Sequence, residues 1–120
     1  MGYVVDVPEG SSGAAPGAYG FVRGTLTGDG GPLEAIVCTA RPIPAGGAIS
    51  VRPIAALAPR DVVVCAAEDD DLDRLPAELA SAIEAFFGAE GGTWSGPDAA
   101  LALVLESEMR LRASSVGPAR

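Results

Sequence analysis

The most informative stretch of the sequence is AYGFVRGTLTGDGGPLEAIV, which spans residues 18–37. Alternating side chains over residues 19–26 predict an extended strand, and the Val- and Ile-rich run over residues 33–39 predicts another. Between them lies GDGGP, residues 28–32, which predicts a turn because glycine tolerates the positive φ angles that tight turns require. The stretch therefore predicts two strands joined by an acidic, glycine-rich turn.

The rest of the chain extends this pattern to a small mixed domain. Three further β-type runs lie at residues 3–7, 48–57 and 61–67, with Pro and Gly in the gaps between them. Residues 76–87 predict a helix, because Leu79, Ile83, Phe86 and Phe87 recur at helical spacing. A second helix is predicted from residues 95–97 to about 112, with Leu101, Val104, Leu105 and Met109 facing inward. Five short strands followed by two helices predict a curved sheet or barrel flanked by helices.

The charged residues exclude several classes of function. The chain has eight Arg, no Lys and no His against sixteen acidic residues, for a net charge of −8. Nucleic acid and anionic membrane surfaces repel such a chain, so neither is an expected partner. Without His or Lys, Ser-His-Asp and Cys-His catalysis and a Lys Schiff base are excluded. No apolar run is long enough to span a membrane and the start lacks the features of a signal peptide, so we expect a cytoplasmic protein.

Two features have a structural and a functional interpretation. Cys38 and Cys65 each lie in a β-type run, which favours buried core thiols over zinc ligands, and a disulfide requires that adjacent strands align the two. The acidic run EDDDLD, residues 68–73, is typical of a solvated loop that leads into a helix. A metal site is the alternative, although consecutive side chains diverge.

The stretch at residues 18–37 resembles a signature of the soluble inorganic pyrophosphatases, N-Y-G-F-I-x-x-T-L followed by D-G-D-P-L-D-V-L-V. Four other segments resemble that family in the same order: VDVP (5–8), PIPAGGAISVRPIAAL (42–57), DLDRLPAELASAIEAFF (71–87) and TWSGPDAA (93–100). The resemblance covers nearly the whole chain. It implies an α+β fold, an OB-like five-stranded β-barrel with two flanking C-terminal helices, in one domain over residues 1–120. It also implies a homo-oligomer, either a trimer or a hexamer.

The family hydrolyses pyrophosphate with several Mg²⁺ ions held by clustered carboxylates, assisted by Lys, Arg and Tyr. The resemblance maps Tyr19 and Asp29 onto matching family residues, Glu34 onto the last Asp of the signature and Asp6 onto a family Glu. The middle Asp, which the family assigns to metals and to the attacking water, is Gly31 here. This mapping implies a site that has lost its central carboxylate.

Further family groups are absent from the sequence. The segment before Tyr19 is a Gly/Ser/Ala loop without the family's phosphate-binding Arg, and the acidic loop with its Lys has shrunk to residues 58–61. The family's Tyr-Lys pair is replaced by residues 88–90. An acidic site without Lys should repel a polyanion. We therefore expect a degenerate member of the family that does not hydrolyse pyrophosphate and has no resident metal or cofactor.

Loss of part of the barrel wall predicts an open, mostly apolar cavity, which suits an apolar small molecule. The chain also resembles small pyrophosphatase-like proteins of bacterial polyketide pathways. We therefore expect a cofactor-independent cyclase or pericyclase that performs [4+2] or [6+4] cycloaddition on an apolar polyene by holding it in a reactive shape. The predicted catalytic groups are Tyr19, Asp29 and Glu34, and the predicted pocket residues are Tyr3, Asp6, Arg52, Trp94 and Met109.

Two other functions stay open at this point. A non-catalytic binding or assembly module would have a filled barrel. A residual Mg²⁺-dependent pyrophosphatase would release phosphate and lose that activity on Asp29→Asn. Several site residues also have structural interpretations: Tyr19 and Trp94 as packed aromatics, Asp29 as a turn residue and Arg52 as the partner of an acid.

Overall fold

The computed structural model describes residues 3–8, 17–39 and 46–116, with only the backbone of residues 115 and 116. Most of the loop predicted over residues 9–17, and residues 42–45 of the matching segment 42–57, lie outside those ranges. Five strands form a closed barrel: β1 (Tyr3–Asp6), β2 (Ala18–Val22), β3 (Glu34–Cys38), β4 (Ala48–Ala58) and β5 (Val62–Ala67). Their order is β1-β2-β3-β5-β4, and pairing of β1 with β4 closes the barrel.

Two helices and a short strand follow the barrel: α1 (Ala77–Phe87), β6 (Thr93–Ser95) and α2 (Pro97–Val116). Pro76 precedes α1 in an extended conformation, and Gly88, at φ 64°, ends that helix in the left-handed region. The predicted OB-like five-stranded barrel with two C-terminal helices is confirmed. The sequence analysis missed β6, which pairs antiparallel with residues 56–58 of β4.

Apolar side chains fill the barrel interior. Every barrel strand contributes to this cluster, and each member is at most 1% exposed: Val5, Val22, Leu33, Ala35, Val37, Val51, Val63, Cys65 and Val104. Val104 comes from α2, which therefore packs directly against the barrel contents. The predicted open apolar cavity in the barrel is wrong, because small and β-branched residues from all five strands meet at the barrel axis and occupy that space.

A second core lies on the outer face of β3, β4 and β5, beneath α1. Its members include Ile36, Leu57, Val64 and the fully buried Ile83 of α1. Residues that pair directly on adjacent strands point to the same face of a sheet, and Cys65 pairs with Val37 rather than with Cys38. Cys65 therefore belongs to the barrel interior and Cys38 to the outer core, and both are free thiols. Burial raises the pKa of Cys38 to about 11 and that of Cys65 to about 12.

The predicted inward face of α2 is wrong in part. Val104 is fully buried, but Leu101, Leu105 and Met109 are 39%, 43% and 65% exposed. The helix instead turns Ala100, Val104 and Ser107 toward the barrel, because small side chains allow its backbone to approach the strands closely. Phe86 of α1, also predicted to face inward, is 40% exposed. No helix in the described ranges is both long enough and apolar enough to cross a bilayer.

Candidate functional site

A cleft of about 900 Å³ opens between three loops: the β2–β3 connection, the β4–β5 turn and the segment that follows α1. Its charged lining consists of four carboxylates, those of Asp29, Glu34, Asp61 and Glu90, and the guanidinium of Arg60. The remaining lining is largely glycine, proline and backbone, with the rings of Phe21 and Phe87 as its apolar part. A cleft with this charged lining does not suit an apolar polyene.

Asp29 lies in the β2–β3 connection, which internal hydrogen bonds hold in shape. The buried hydroxyl of Thr25 donates to the carbonyl of Val22 at 2.6 Å and accepts from the Leu33 amide at 3.0 Å. Further along, the Thr27 amide donates to the Gly31 carbonyl at 2.7 Å, and Gly30 takes a φ of 94°. In the described part of the chain, the Asp29 carboxylate accepts no hydrogen bond and forms no ion pair. It is therefore free to bind a cation or a water molecule in the cleft.

Glu34, at the start of β3, is fully engaged. The Tyr19 hydroxyl donates to its Oε2 at 2.7 Å. The Arg60 guanidinium contacts both carboxylate oxygens, with Nε 3.1 Å from Oε1 and Nη2 3.2 Å from Oε2. Arg60 also lies over the Phe87 ring, 4.9 Å from its centroid. The result is a fixed network of two charges and two aromatic rings along one wall of the cleft.

Arg60 is the functional residue that the sequence analysis missed. It lies in the short β4–β5 turn, where Asp61 adopts a φ of 64° and its amide donates to the Leu57 carbonyl at 3.0 Å. Asp is among the residues that tolerate this left-handed conformation. The family resemblance implies that residues 58–61 are the remnant of a lost loop, which gives Arg60 no role. One sequence signal could have identified Arg60. It is a cationic residue in the segment where the resemblance places a family Lys.

The Tyr19 phenol is held in its neutral form. Burial, and next the hydrogen bond to Glu34, raise its pKa from 10.0 to about 12. Tyr19 is therefore a hydrogen-bond donor and not a base near neutral pH. Because the pKa is higher in the folded protein than in the unfolded chain, the phenol's contribution to stability is complete below pH 10 and is lost as the pH rises through about 12.

We expect a spectrophotometric titration to detect this pKa directly. In a Tyr3→Phe background Tyr19 is the single tyrosine, and its phenolate absorbance should appear with a midpoint of about 12. Adding Glu34→Gln should lower that midpoint, because the negative charge that opposes ionisation is removed. A midpoint unaffected by Glu34→Gln would show that the bond to Glu34 does not form in solution.

The magnesium cluster that the resemblance implies does not fit the residues present. Within residues 3–8, 17–39 and 46–116, no group of three or more His, Cys, Asp or Glu side chains converges as metal ligands. Both oxygens of Glu34 are bound by Arg60, and Asp6 lies outside the cleft. Asp29, Asp61 and Glu90 are the carboxylates of the lining that no hydrogen bond or ion pair engages in the described ranges. The acidic run at residues 68–73 lies in the β5–α1 connection and supplies no cluster either.

The other predicted pocket residues lie elsewhere, so the structure does not bring them together with Tyr19, Asp29 and Glu34. Tyr3 packs against the barrel core. Asp6 pairs with Arg23 at 2.5 and 3.0 Å, and this hydrogen-bonded ion pair lowers the pKa of the Asp6 carboxyl. The remaining three are also accounted for locally: Arg52 donates to the Asp70 carbonyl, Trp94 donates to Glu84 at 2.6 Å, and Met109 is exposed on α2.

Comparison with known sequences supports one family. The family model described as inorganic pyrophosphatase matches residues 3–108. An inorganic pyrophosphatase of Methanosarcina acetivorans is 34% identical over 122 aligned positions, which cover 83% of this chain and 73% of that protein. One from Mesorhizobium japonicum is 50% identical over 46 residues, 38% of this chain. The matched segment spans only about a quarter of that relative's length, 26%.

Solved structures give the same result for the fold. An inorganic pyrophosphatase from Thermus thermophilus superposes with a TM-score of 0.70 at 23% identity, covering 93% of this chain and 91% of that one. One from Neisseria gonorrhoeae gives a TM-score of 0.65 at 25% identity, covering 81% and 70%.

These findings overturn the cyclase prediction. The relatives and structural neighbours are inorganic pyrophosphatases, and the barrel that was expected to enclose a polyene is filled by its own side chains. The predicted pericyclase function, its apolar polyene substrate and its polyketide context are therefore wrong. The same findings contradict the expectation of a degenerate member that does not hydrolyse pyrophosphate, because they support the pyrophosphatase alternative better. With the family model matching residues 3–108, the chain belongs to the inorganic pyrophosphatase family.

Proposed function

We propose that this chain hydrolyses inorganic pyrophosphate, taken up as its magnesium complex, in the cleft lined by Asp29, Glu34 and Arg60. One observation carries the proposal: the two signature carboxylates, Asp29 and Glu34, line the same cleft, and the Arg60 guanidinium lines it beside Glu34. The names of the family relatives support the same reaction.

The charge of the cleft explains why magnesium would arrive with the substrate. Four carboxylates and one guanidinium give the lining an excess of negative charge, which opposes a free polyanion. Magnesium bound to pyrophosphate reduces the charge of the ligand and polarises its phosphoryl oxygens. The free carboxylates of Asp29 and Asp61 then attract the complex rather than repel it.

The residues of the cleft have distinct roles in the proposed reaction. Water adds to one phosphorus, the bond from that phosphorus to the bridging oxygen breaks, and the proton that the water loses ends on the departing phosphate. Asp29, the unpaired signature carboxylate, accepts the hydrogen bond of the attacking water. Arg60 uses Nε and Nη2 to hold Glu34, which leaves its remaining N–H groups to contact phosphoryl oxygens. Tyr19 and Glu34 position Arg60 and do not take part in proton transfer.

A phosphate-release assay tests the proposal. With Mg²⁺ and pyrophosphate we expect steady release of phosphate, and Asp29→Asn should reduce the rate by about tenfold or more because the water loses a negatively charged acceptor and keeps only a weaker, neutral amide oxygen. Glu106→Gln is the matched control: it removes one carboxylate from the exposed side of α2, away from the cleft, and should retain the wild-type rate. Absence of phosphate release by the wild-type chain, or an unchanged rate in Asp29→Asn, would contradict the proposal.

Assembly into a trimer or a hexamer stays a prediction from the family resemblance. Its measurement is the molar mass in solution.

A further inference from the structure

The strongest unexplained feature of the cleft is that both carboxylate oxygens of Glu34 already contact donors from other side chains. The Glu34 side chain is 22% exposed at the edge of the cleft. Even so, the Arg60 guanidinium contacts both of its oxygens, Oε1 at 3.1 Å and Oε2 at 3.2 Å. The same carboxylate accepts a hydrogen bond from the Tyr19 hydroxyl. A carboxylate ligand offers its oxygen lone pairs to a metal ion, and here they already face N–H and O–H donors.

We infer that Arg60 is a built-in cation that takes the place of a divalent metal ion at Glu34. The guanidinium carries a permanent positive charge, since Arg is not deprotonated in proteins. It pairs with the carboxylate through one hydrogen bond, from Nη2 to Oε2, and through an ion-pair contact between Nε and Oε1. The chain therefore neutralises Glu34 with its own side chain and keeps that carboxylate closed to metal ions.

The surroundings of Arg60 hold it in this position. The Phe87 ring lies beneath the guanidinium, and Phe87 also contacts the Tyr19 ring, at a centroid distance of 6.0 Å. The backbone of the short β4–β5 turn fixes the point from which the side chain extends. Fixed geometry reduces the conformational entropy lost on pairing, so the contact competes effectively with a metal ion from solution.

The inference rests on the contacts of Glu34 and not on the proposed hydrolysis. It predicts how the chain binds a metal ion in the absence of pyrophosphate. Failure of the phosphate-release assay would leave it standing, and failure of the metal titration would leave the hydrolysis proposal standing.

A Mn²⁺ titration followed by electron paramagnetic resonance measures this directly, because free and bound Mn²⁺ give different signals. Arg60→Gln removes the guanidinium and frees Oε1 of Glu34, while Oε2 keeps the hydrogen bond from Tyr19, so the affinity for Mn²⁺ should rise by about tenfold or more. Arg60→Gln/Glu34→Gln should lose that gain, because the gain is assigned to the freed carboxylate.

A matched variant separates this effect from overall charge. Arg23→Gln also removes one guanidinium paired with a carboxylate, but at Asp6, outside the cleft, and should leave the Mn²⁺ affinity within about twofold of wild type. Because the Arg60 side chain is 44% exposed, we expect its replacement to leave the fold intact. Thermal unfolding of the variant measures whether it does. An affinity that does not rise in Arg60→Gln, or a rise that persists in the double variant, would overturn the inference.

Discussion

Gly31→Asp is expected to raise the Mg²⁺-dependent rate of phosphate release by about 100-fold, the size of effect that one well-placed electrostatic group has on a transition state. Gly31 lines the cleft together with Asp29 and Glu34, at the signature position where the family resemblance places an Asp. A Cβ built at Gly31 meets no atom within 4 Å, and the backbone there is not in the left-handed region. The new side chain therefore fits without strain and adds a carboxylate that can hold the magnesium of the substrate.

The control for this substitution is Gly31→Asn, which has nearly the same size and shape but no charge. It should stay close to the wild-type rate, so the comparison isolates the carboxylate. Initial rates measured over a range of Mg²⁺ concentrations are the readout. Equal rates for the Asp and Asn variants would mean that the reaction does not take place beside residue 31.

Gly20→Ala is expected to destabilise the fold by about 3 kcal/mol, at the upper end of what an overpacked core site costs. A Cβ at this position would lie 2.3 Å from the Asp6 carbonyl oxygen and 2.9 Å from Cγ1 of Val5. The close atom belongs to the backbone of β1, which is paired with β2 on one side and β4 on the other. The strand cannot retreat without losing hydrogen bonds that close the barrel.

Urea unfolding of the wild-type chain, Gly20→Ala and Gly28→Ala measures this cost. Gly28 provides the matched comparison, because a Cβ built there meets no atom within 4 Å and no positive φ is required. We expect a marked fall in the midpoint for Gly20→Ala and little change for Gly28→Ala. Similar midpoints for the two variants would show that β1 and β2 are not packed as closely as described.

Local sequence pattern was sufficient to predict most of the fold. All five barrel strands and both helices could be located because each has its own apolar periodicity and is bounded by Pro or Gly. Boundaries were less accurate: β2 ends at Val22 rather than at residue 26, since the chain turns at Gly24 with a φ of 77°. The strand β6 is three residues long, too short to show a period, and forms only because β4 offers it an edge.

The site was predictable only where its residues are close in sequence. Asp29 and Glu34 are five positions apart in the signature, and the structure places both in the cleft. The Arg60–Glu34 contact joins residues 26 positions apart, so it depends on the barrel topology that brings the β4–β5 turn beside β3. The prediction of an apolar cavity was wrong because it also depended on three-dimensional packing. Residues that are missing from a loop need not leave an empty space in the barrel core.

The length of β4 has a consequence for self-association. One side of this 11-residue strand pairs with β5. The other side pairs with β1 through residues 48–51 and with β6 through residues 56–58. Among the described strands, the three-residue β6 is the one left with an unpaired side. An unpaired strand edge can form hydrogen bonds with a strand of another chain and so promote aggregation. An edge of three residues offers few such hydrogen bonds. Pairing of β1 with β4 thus hides two strand edges at once, and separation of these strands would expose both to other chains.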